Sequence, residues 1–245
     1  MKLNKLMLVL AGAFAVTVLL PASYAFCAAK MEAVVVFVEG DVKLKRDKAA
    51  DYVELKVNEA LQPGDAIKTG PGAKASLVTK DGAEIRINQN SDFDIPGKSK
   101  VRAMFNLAVG QVWSRMLHKK ARLSVRTPAA VCAIRGTEAD IEQKELMTVK
   151  VYEGHVDLSN KLGKQALRAG QISTVAGAAA PSAPRQMSAS EQGKWQEGID
   201  VKDLAKYIEQ VGLDPKGMRN LKVNVEKDGK QKEIQIKLKE KTGGK

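Results

Sequence analysis

The chain has 245 residues and a formal net charge of +12, and only 4% of its residues are aromatic. A basic chain suggests anionic partners, but so few aromatic side chains to stack on bases argue against a nucleic-acid binder. The chain has only two histidines and two cysteines, so it offers few candidate ligands for a zinc site. The composition therefore favours a basic globular protein without a metal or a nucleic-acid partner.

The first residues predict export from the cytoplasm. Lys2 and Lys5 precede an apolar run over residues 6–20, and small residues follow it. This order is typical of a Sec-type signal peptide, and the run is shorter than the ~20 residues that span a bilayer. We predict a signal peptide over residues 1–29, cleaved after Ala25 or Ala29. The mature protein is then periplasmic or secreted, with no transmembrane span.

The cleavage position decides what the cysteines can do. Cleavage after Ala29 removes Cys27 and leaves Cys132 alone, whereas cleavage after Ala25 keeps both and permits a disulfide in an oxidising compartment. Cys132 lies in an apolar run, so we expect a small buried hydrophobic side chain there.

Residues 30–175 show the pattern of an all-β domain. Val42 and Leu44 alternate with two lysines, as in a strand with one buried face. The turn at 80–82 lies between two apolar alternations and predicts a β-hairpin. No part of this region has helical periodicity with caps. We therefore expect a mainly β fold.

A weak internal repeat lies within this β-region. Each unit has an apolar strand that ends, a glycine that turns the chain, a polar residue, and a β-branched residue that starts the next strand. Such units suit a β-solenoid or a coiled β-sandwich, although glycine also recurs at turns in any all-β protein. The repeated segments are 39–42, 63–67, 109–112, 153–156 and 169–172.

The segment 127–137 carries the most specific signal in the chain. Pro128 holds Thr127 extended, and Gly136 can turn where a Cβ would clash. Together with 61–65, 81–82 and 153–156, this segment resembles the FecR domain, a family named for the ferric-citrate regulator of bacterial cell envelopes. The resemblance covers about residues 32–175, and it implies a β-solenoid or β-sandwich-like domain.

The resemblance also implies a task. The best-known FecR proteins join a cytoplasmic anti-sigma segment, one membrane span and an external β-domain that senses an outer-membrane receptor. This chain opens instead on a signal peptide, so it resembles a stand-alone exported member. The function implied is that of a non-catalytic binding or regulatory module whose partner is an envelope protein, such as a receptor or regulator.

The sharpest basic cluster follows Trp113 and consists of Arg115, Lys119, Lys120 and Arg122. The functional interpretation is an edge that binds a polyanion or glycan, for example an anionic cell-wall polymer. The alternative is a hairpin connection between 110–114 and 123–126, whose charges simply face water. Both interpretations stay open on the sequence alone.

Composition changes after residue 175. Residues 176–190 have the composition of an extended, mobile Pro/Ala/Ser linker, and residues 191–245 predict a helix followed by a β-hairpin. We expect Asp200 to cap the helix and Gly212 to end it. A tail of this size buries too little surface to be stable alone, so it should dock on the β-domain or on a partner. Trp195 could anchor such an interface.

Sequence signatures of catalysis are missing. We find no Gly-x-Ser-x-Gly elbow, no phosphate-binding glycine loop and no His-Glu-x-x-His motif. His118 and His155 lie far apart, without nearby ligands at metal-binding spacing. We therefore predict a protein that is not an enzyme and that carries no cofactor and no metal.

Overall fold

The computed structural model describes residues 31–97, 104–118, 121–193, 195–215, 221–227 and 230–236. The predicted signal peptide, its candidate cleavage sites and Cys27 lie outside these ranges. Within them, no helix has both the length and the apolar character needed to cross a bilayer.

The fold is mainly β, as the alternating patterns predicted. Among the described residues, fifteen strands share one continuous hydrogen-bonded network, and the last two form a separate hairpin. The strands of the network are β1 (Ala33–Glu39), β2 (Val42–Lys45), β3 (Val53–Glu54), β4 (Ala60–Leu61), β5 (Ala66–Thr69), β6 (Lys74–Thr79), β7 (Ala83–Ile87), β8 (Asp92–Asp94), β9 (Met104–Met116), β10 (Arg122–Arg126), β11 (Val131–Gln143), β12 (Leu146–Asn160), β13 (Gly163–Arg168), β14 (Gln171–Ala176) and β15 (Arg185–Gln186).

The network folds over into two layers. The first layer contains β4, β1, β6, β7, β14, β15, the C-terminal halves of β9 and β11, and the N-terminal half of β12. The second contains β3, β2, β5, β8, β10, β13 and the remaining halves of the three long strands. Apolar side chains from both layers meet in one buried core, which includes Leu77, Ile85, Ile141, Phe93, Leu123 and Ile134. Phe93 and Phe105 stack there with their ring centroids 5.5 Å apart.

The three long strands pass from one layer to the other at glycines with positive φ. These glycines are Gly110 (φ 106°), Gly136 (φ 59°) and Gly154 (φ 73°). The pairing of β11 with β12 shifts register near Gly136, which is where a bulge bends a strand. The repeat predicted that each glycine ends a strand, and this is wrong at Gly110 and Gly154. Backbone pairing with neighbouring strands continues on both sides of Gly110 and Gly154, so β9 and β12 each run through their glycine without a break.

β10 shows how the chain coils. Ser124 of β10 pairs with Met104 at the start of β9, and these two strands run parallel. The bent β9 and the connection after it thus carry the chain once around the core and back beside its own start. This supports the coiled β-sandwich that the repeat predicted. The alternative of a simple hairpin connection from 110–114 to 123–126 is wrong, because the parallel partner of β10 is the other half of β9.

Several local predictions are confirmed. The turn at 80–82 joins β6 to β7, with the Gly82 amide donating to the Thr79 carbonyl at 3.0 Å as in a tight hairpin. Cys132 is fully buried among apolar neighbours, and this burial raises the pKa of its thiol. A neutral, inaccessible thiol is a packing group, as expected for Cys132.

Residues 176–187 do not leave the domain as a free linker. The Ser182 amide donates to the Thr174 carbonyl at 2.9 Å, and the Met187 amide donates to the Gly170 carbonyl at 2.8 Å. β15 also pairs with β14. The composition of this segment predicts mobility. It carries no information about the unpaired backbone groups along the edge of β14, which hold the segment in place.

The helical part of the tail docks on the first layer. Helix α1 (Leu204–Gln210) buries Leu204, Tyr207 and Ile208 against Val34 and Val78 of the outer face. The helix begins after Asp203, which has φ 54° and makes no side-chain cap, and not after Asp200 as predicted. Gly212 ends it with φ 81°, as predicted. The predicted hairpin is present as β16 (Leu221–Lys227) and β17 (Lys230–Ile236), and its turn residues 228–229 lie outside the described residues.

Candidate functional site

The outer face of the first layer carries a row of polar side chains beneath the tail. Arg86, Trp113, Asp140 and Lys150 stand opposite one another on β7, β9, β11 and β12. Trp113 is 3% exposed and Asp140 is 2% exposed. Residues after β15 cover this row, so it is an internal contact between the sheet and the tail and not an open surface.

Glu84 is the centre of a buried ion-pair cluster on this face. Its two carboxylate oxygens accept hydrogen bonds from Arg86 Nε and Arg115 Nη2, each at 2.7 Å. Both guanidinium groups also lie over the Trp113 ring, at 4.9 and 5.6 Å from its centroid. Burial alone would raise the pKa of Glu84, but Arg115 and Arg86 outweigh it and hold the pKa below its usual value.

Asp140 joins the sheet to the tail. Its Oδ1 accepts a hydrogen bond from Gln111 Nε2 at 2.8 Å, and its Oδ2 accepts one from Trp195 Nε1 at 2.6 Å. Burial raises the pKa of Asp140 to about 6, although both hydrogen bonds and nearby Lys150 act in the opposite direction. Asp140 therefore binds a proton more readily than a free aspartate does, inside the contact between the sheet and the tail.

Two further hydrogen bonds hold the same stretch of the tail. Tyr152 Oη donates to the Gly193 carbonyl at 3.0 Å, and Arg86 donates to the Gln196 carbonyl. Gln196 is itself 2% exposed. Trp195 is thus an anchor, as the sequence suggested, and its partner is this chain's own sheet.

The predicted basic cluster is divided by the fold. Arg115 lies on the first layer, where Glu84 already pairs with its charge. Arg122 lies exposed on β10 in the second layer. Lys119 and Lys120 lie outside the described residues, so their part in a polyanion site stays a prediction. Arg115 and Arg122 face different surfaces, because strand β9 ends between them at the edge of the sandwich.

A larger basic surface lies on the outer face of the second layer. Arg122, Arg135, His155 and Arg168 form one row across β10, β11, β12 and β13, each in register with the next. We call this the cationic row. A second row on the same face begins with Arg126 and ends with the exposed Lys164, with Val131 and Ser159 between them.

A groove opens at one end of the sandwich, where four connections between strands meet. Its volume is about 660 Å³ and its lining is mostly apolar, with the turn 128–131 on one side and Leu162 on the other. Leu162 is 66% exposed, which is unusual for a large apolar side chain. The segment 127–131, prominent in the sequence, thus forms a wall of this groove.

The described residues hold no group of three or more metal-binding side chains close enough to bind an ion. His155 lies in the cationic row on β12, and His118 lies just after β9. The two histidines are therefore not brought together within the described part of the chain.

Comparison with known families gives a match in the central part of the sheet. Residues 65–157 match the sequence model of the family described as FecR protein. This part of the chain is similar to the FecR family, and we call residues 65–157 the FecR region. The resemblance predicted for residues 32–175 is confirmed over these residues.

The FecR region runs from the start of β5 through most of β12. It contains the Glu84 cluster, Asp140, and three members of the cationic row. Arg168, the whole β13 edge and the tail that covers Asp140 lie beyond it. The cationic row and the contact between Asp140 and the tail therefore each combine residues of the FecR region with residues beyond the family match.

Solved structures give a more distant likeness. Two crystal structures of a proposed anti-sigma factor from Parabacteroides distasonis ATCC 8503, at 1.65 and 2.50 Å resolution, are each 16% identical to this chain with a TM-score of 0.47. The alignment with the first structure covers 60% of this chain and 72% of the solved chain. The alignment with the second covers 59% of this chain and 71% of the solved chain. No curated protein matches the sequence.

Sequence reasoning missed Arg126, Arg135, Lys164 and Arg168 as members of one surface. The alternation in β10 does show that Arg122 and Arg126 share a face, because they are four residues apart on a strand. Nothing local, however, places Arg135 or Arg168 beside Arg122. Only the register of three separate strand pairs brings them together.

Proposed function

We propose that this chain is a non-catalytic regulatory module of a bacterial cell envelope, and that it acts by binding another protein. The observation that carries the proposal is the FecR match over residues 65–157. The FecR resemblance implies signalling through protein contacts, and the fold around the match is a sandwich with a buried core that presents loops and a groove at its surface.

The place of action is part of the proposal. Lys2, Lys5 and the apolar run after them support export, which would put the β-domain outside the inner membrane. Cell fractionation with mass spectrometry of the N-terminus tests this. A mature chain that begins after Ala25 or Ala29 in the periplasm or medium is the expected result, and an intact leader on a cytosolic protein contradicts it.

Site-specific photo-crosslinking in living cells tests the protein partner. The positions to label are the four most exposed of the large apolar side chains, since these mark contact surfaces better than charged ones do. Leu162 borders the groove and is 66% exposed, while Val53 is 55% exposed on β3, which pairs with β2 and does not line the groove. Val109 and Leu146 complete the panel, at 47% and 45%.

We expect one defined protein adduct from a subset of the four positions, captured at the natural level of expression. A partner that contacts one surface should crosslink to neighbouring positions and not to all four. The adduct should vanish when the labelled copy is held in the cytoplasm. If none of the four positions gives a protein adduct in the envelope, the proposed binding function is contradicted.

A further inference from the structure

The cationic row is long and regular. Neighbouring strands lie ~4.8 Å apart, so Arg122, Arg135, His155 and Arg168 span roughly 14 Å across four strands. Arg122, Arg135, His155 and Arg168 are all exposed, whereas the residues next to them along each strand, such as Leu123, Ile134 and Leu167, are buried in the core. The row therefore projects from a firmly packed sheet.

The arginine charges of this row are not paired with acidic side chains within the described structure. Arg122, Arg135 and Arg168 form no ion pair with any described residue. The arginines of the other layer behave differently, since Arg86 and Arg115 are both paired with the buried Glu84. The two faces thus separate cations that stabilise the fold from cations that remain available to a ligand.

The surroundings of the row restrict the ligand. The positions between the two basic rows are Ser124, Ala133, Asp157 and Ala166. The side chains between the rows are therefore short, and none of them is a large apolar or aromatic group. Such a surface offers nothing to insert into a bilayer and nothing to stack on bases. Asp157 lies two residues from His155 on the same face, ~6.6 Å away, and repels anions that spread beyond the row.

We propose that the cationic row binds a linear polyanion whose phosphate or carboxylate groups lie across β10, β11, β12 and β13. Arginine supplies a planar fork that fits both kinds of group. Three arginines in one row, with His155 between Arg135 and Arg168, offer several such forks to a chain of repeated charges. The site differs from the loop cluster that the sequence suggested, because it uses Arg135 and Arg168 and does not use Arg115.

The test uses the mature full-length protein and two probes, inorganic polyphosphate and poly-glutamate. Binding is measured by titration calorimetry over a series of salt concentrations. The row variant carries Arg135→Gln and Arg168→Gln. A control variant with the same change in charge carries Lys56→Gln and Lys202→Gln, two exposed lysines away from the row. Thermal unfolding verifies that both variants are folded.

We expect the row variant to lose at least about tenfold in affinity for a probe that the wild type binds, and the control variant to change by less than about twofold. The slope of log affinity against log salt should fall by roughly two in the row variant, because two phosphate contacts are removed. If only polyphosphate binds, the ligand of the row is a phosphate polymer. If both probes bind, the row recognises the density of negative charge along a chain and not the kind of anionic group.

Three outcomes overturn the proposal. The first is equal loss in the row and control variants, which would show that only net charge matters. The second is the absence of binding to either probe at low salt. The third is binding to vesicles rich in anionic phospholipid that depends on the row while both linear probes fail to bind, because this would assign the face to a bilayer. None of these outcomes bears on the proposed protein partner.

Discussion

Trp195 and Asp140 are joined by a hydrogen bond of 2.6 Å although 55 positions separate them in the sequence. The indole Nε1 of the tail donates to a carboxylate that is 2% exposed on the sheet. Gln111 occupies the other carboxylate oxygen, so the pair is part of a polar contact that attaches the tail to the FecR region.

Replacement of Trp195 by Phe should weaken this attachment. The ring remains, but Asp140 loses a donor, and a buried acceptor without its partner costs about 1–3 kcal/mol. Chemical denaturation measures the loss, and hydrogen exchange should show faster exchange in α1. A double-mutant cycle with Asp140→Asn isolates the pair. Strictly additive effects of the two substitutions would show that the bond contributes nothing.

The pH dependence of stability should carry a contribution from Asp140. Its pKa is raised from 3.8 to about 6 in the folded protein. The folded state therefore binds this proton more readily than the unfolded chain, so the contribution is present at low pH and is lost as pH rises through about 6.

The measurement compares wild type with Asp140→Asn by urea denaturation between about pH 4 and about pH 7. The difference in free energy of unfolding should change by up to roughly 3 kcal/mol over this range, with wild type losing more than the variant as pH rises. Parallel curves for the two proteins would contradict the assignment, and other titrating groups cancel because both proteins contain them.

Glu84→Gln should destabilise the fold strongly. The substitution leaves Arg86 and Arg115 beside a neutral side chain in a site where Glu84 is fully buried. Breaking a buried pair in this way costs about 3–5 kcal/mol. Glu191→Gln is the matched control, because it breaks the exposed pair with Arg185 on the surface and should have a far smaller effect. Comparable losses would show that burial of Glu84 is unimportant.

The crossing of β11 and β12 should not tolerate a side chain at Gly154. A Cβ there would lie 2.6 Å from the Gly136 carbonyl oxygen, and φ is +73°. Gly136→Ala is the control, because Gly136 also has positive φ but a Cβ added to it would meet no atom within 4 Å. We expect roughly 1–2 kcal/mol for Gly136→Ala and roughly 1–3 kcal/mol more for Gly154→Ala. Equal effects in thermal unfolding would mean that the contact relaxes without cost.

Much of the fold could be predicted locally. Alternation in Val42 and Leu44, or in Leu123 and Val125, reports which side of a strand is buried, because successive side chains point to opposite faces. Glycine in the repeated segments marked positions of positive φ, which the structure shows at Gly40, Gly64, Gly110, Gly154 and Gly170. The sequence could not tell a bulge from a turn, since both need the same backbone conformation.

The pattern of residues by itself determined a mainly β chain, the placement of Cys132 in the core, and the ending of the helix at Gly212. Tertiary structure alone decided that Trp195 meets Asp140, that Arg115 belongs to Glu84, and that Arg135 and Arg168 join Arg122 in one row. The physical reason is that periodicity is a property of a few neighbouring residues. Register is set by backbone hydrogen bonds and core packing between strands far apart in the chain, and these leave no mark on either strand alone.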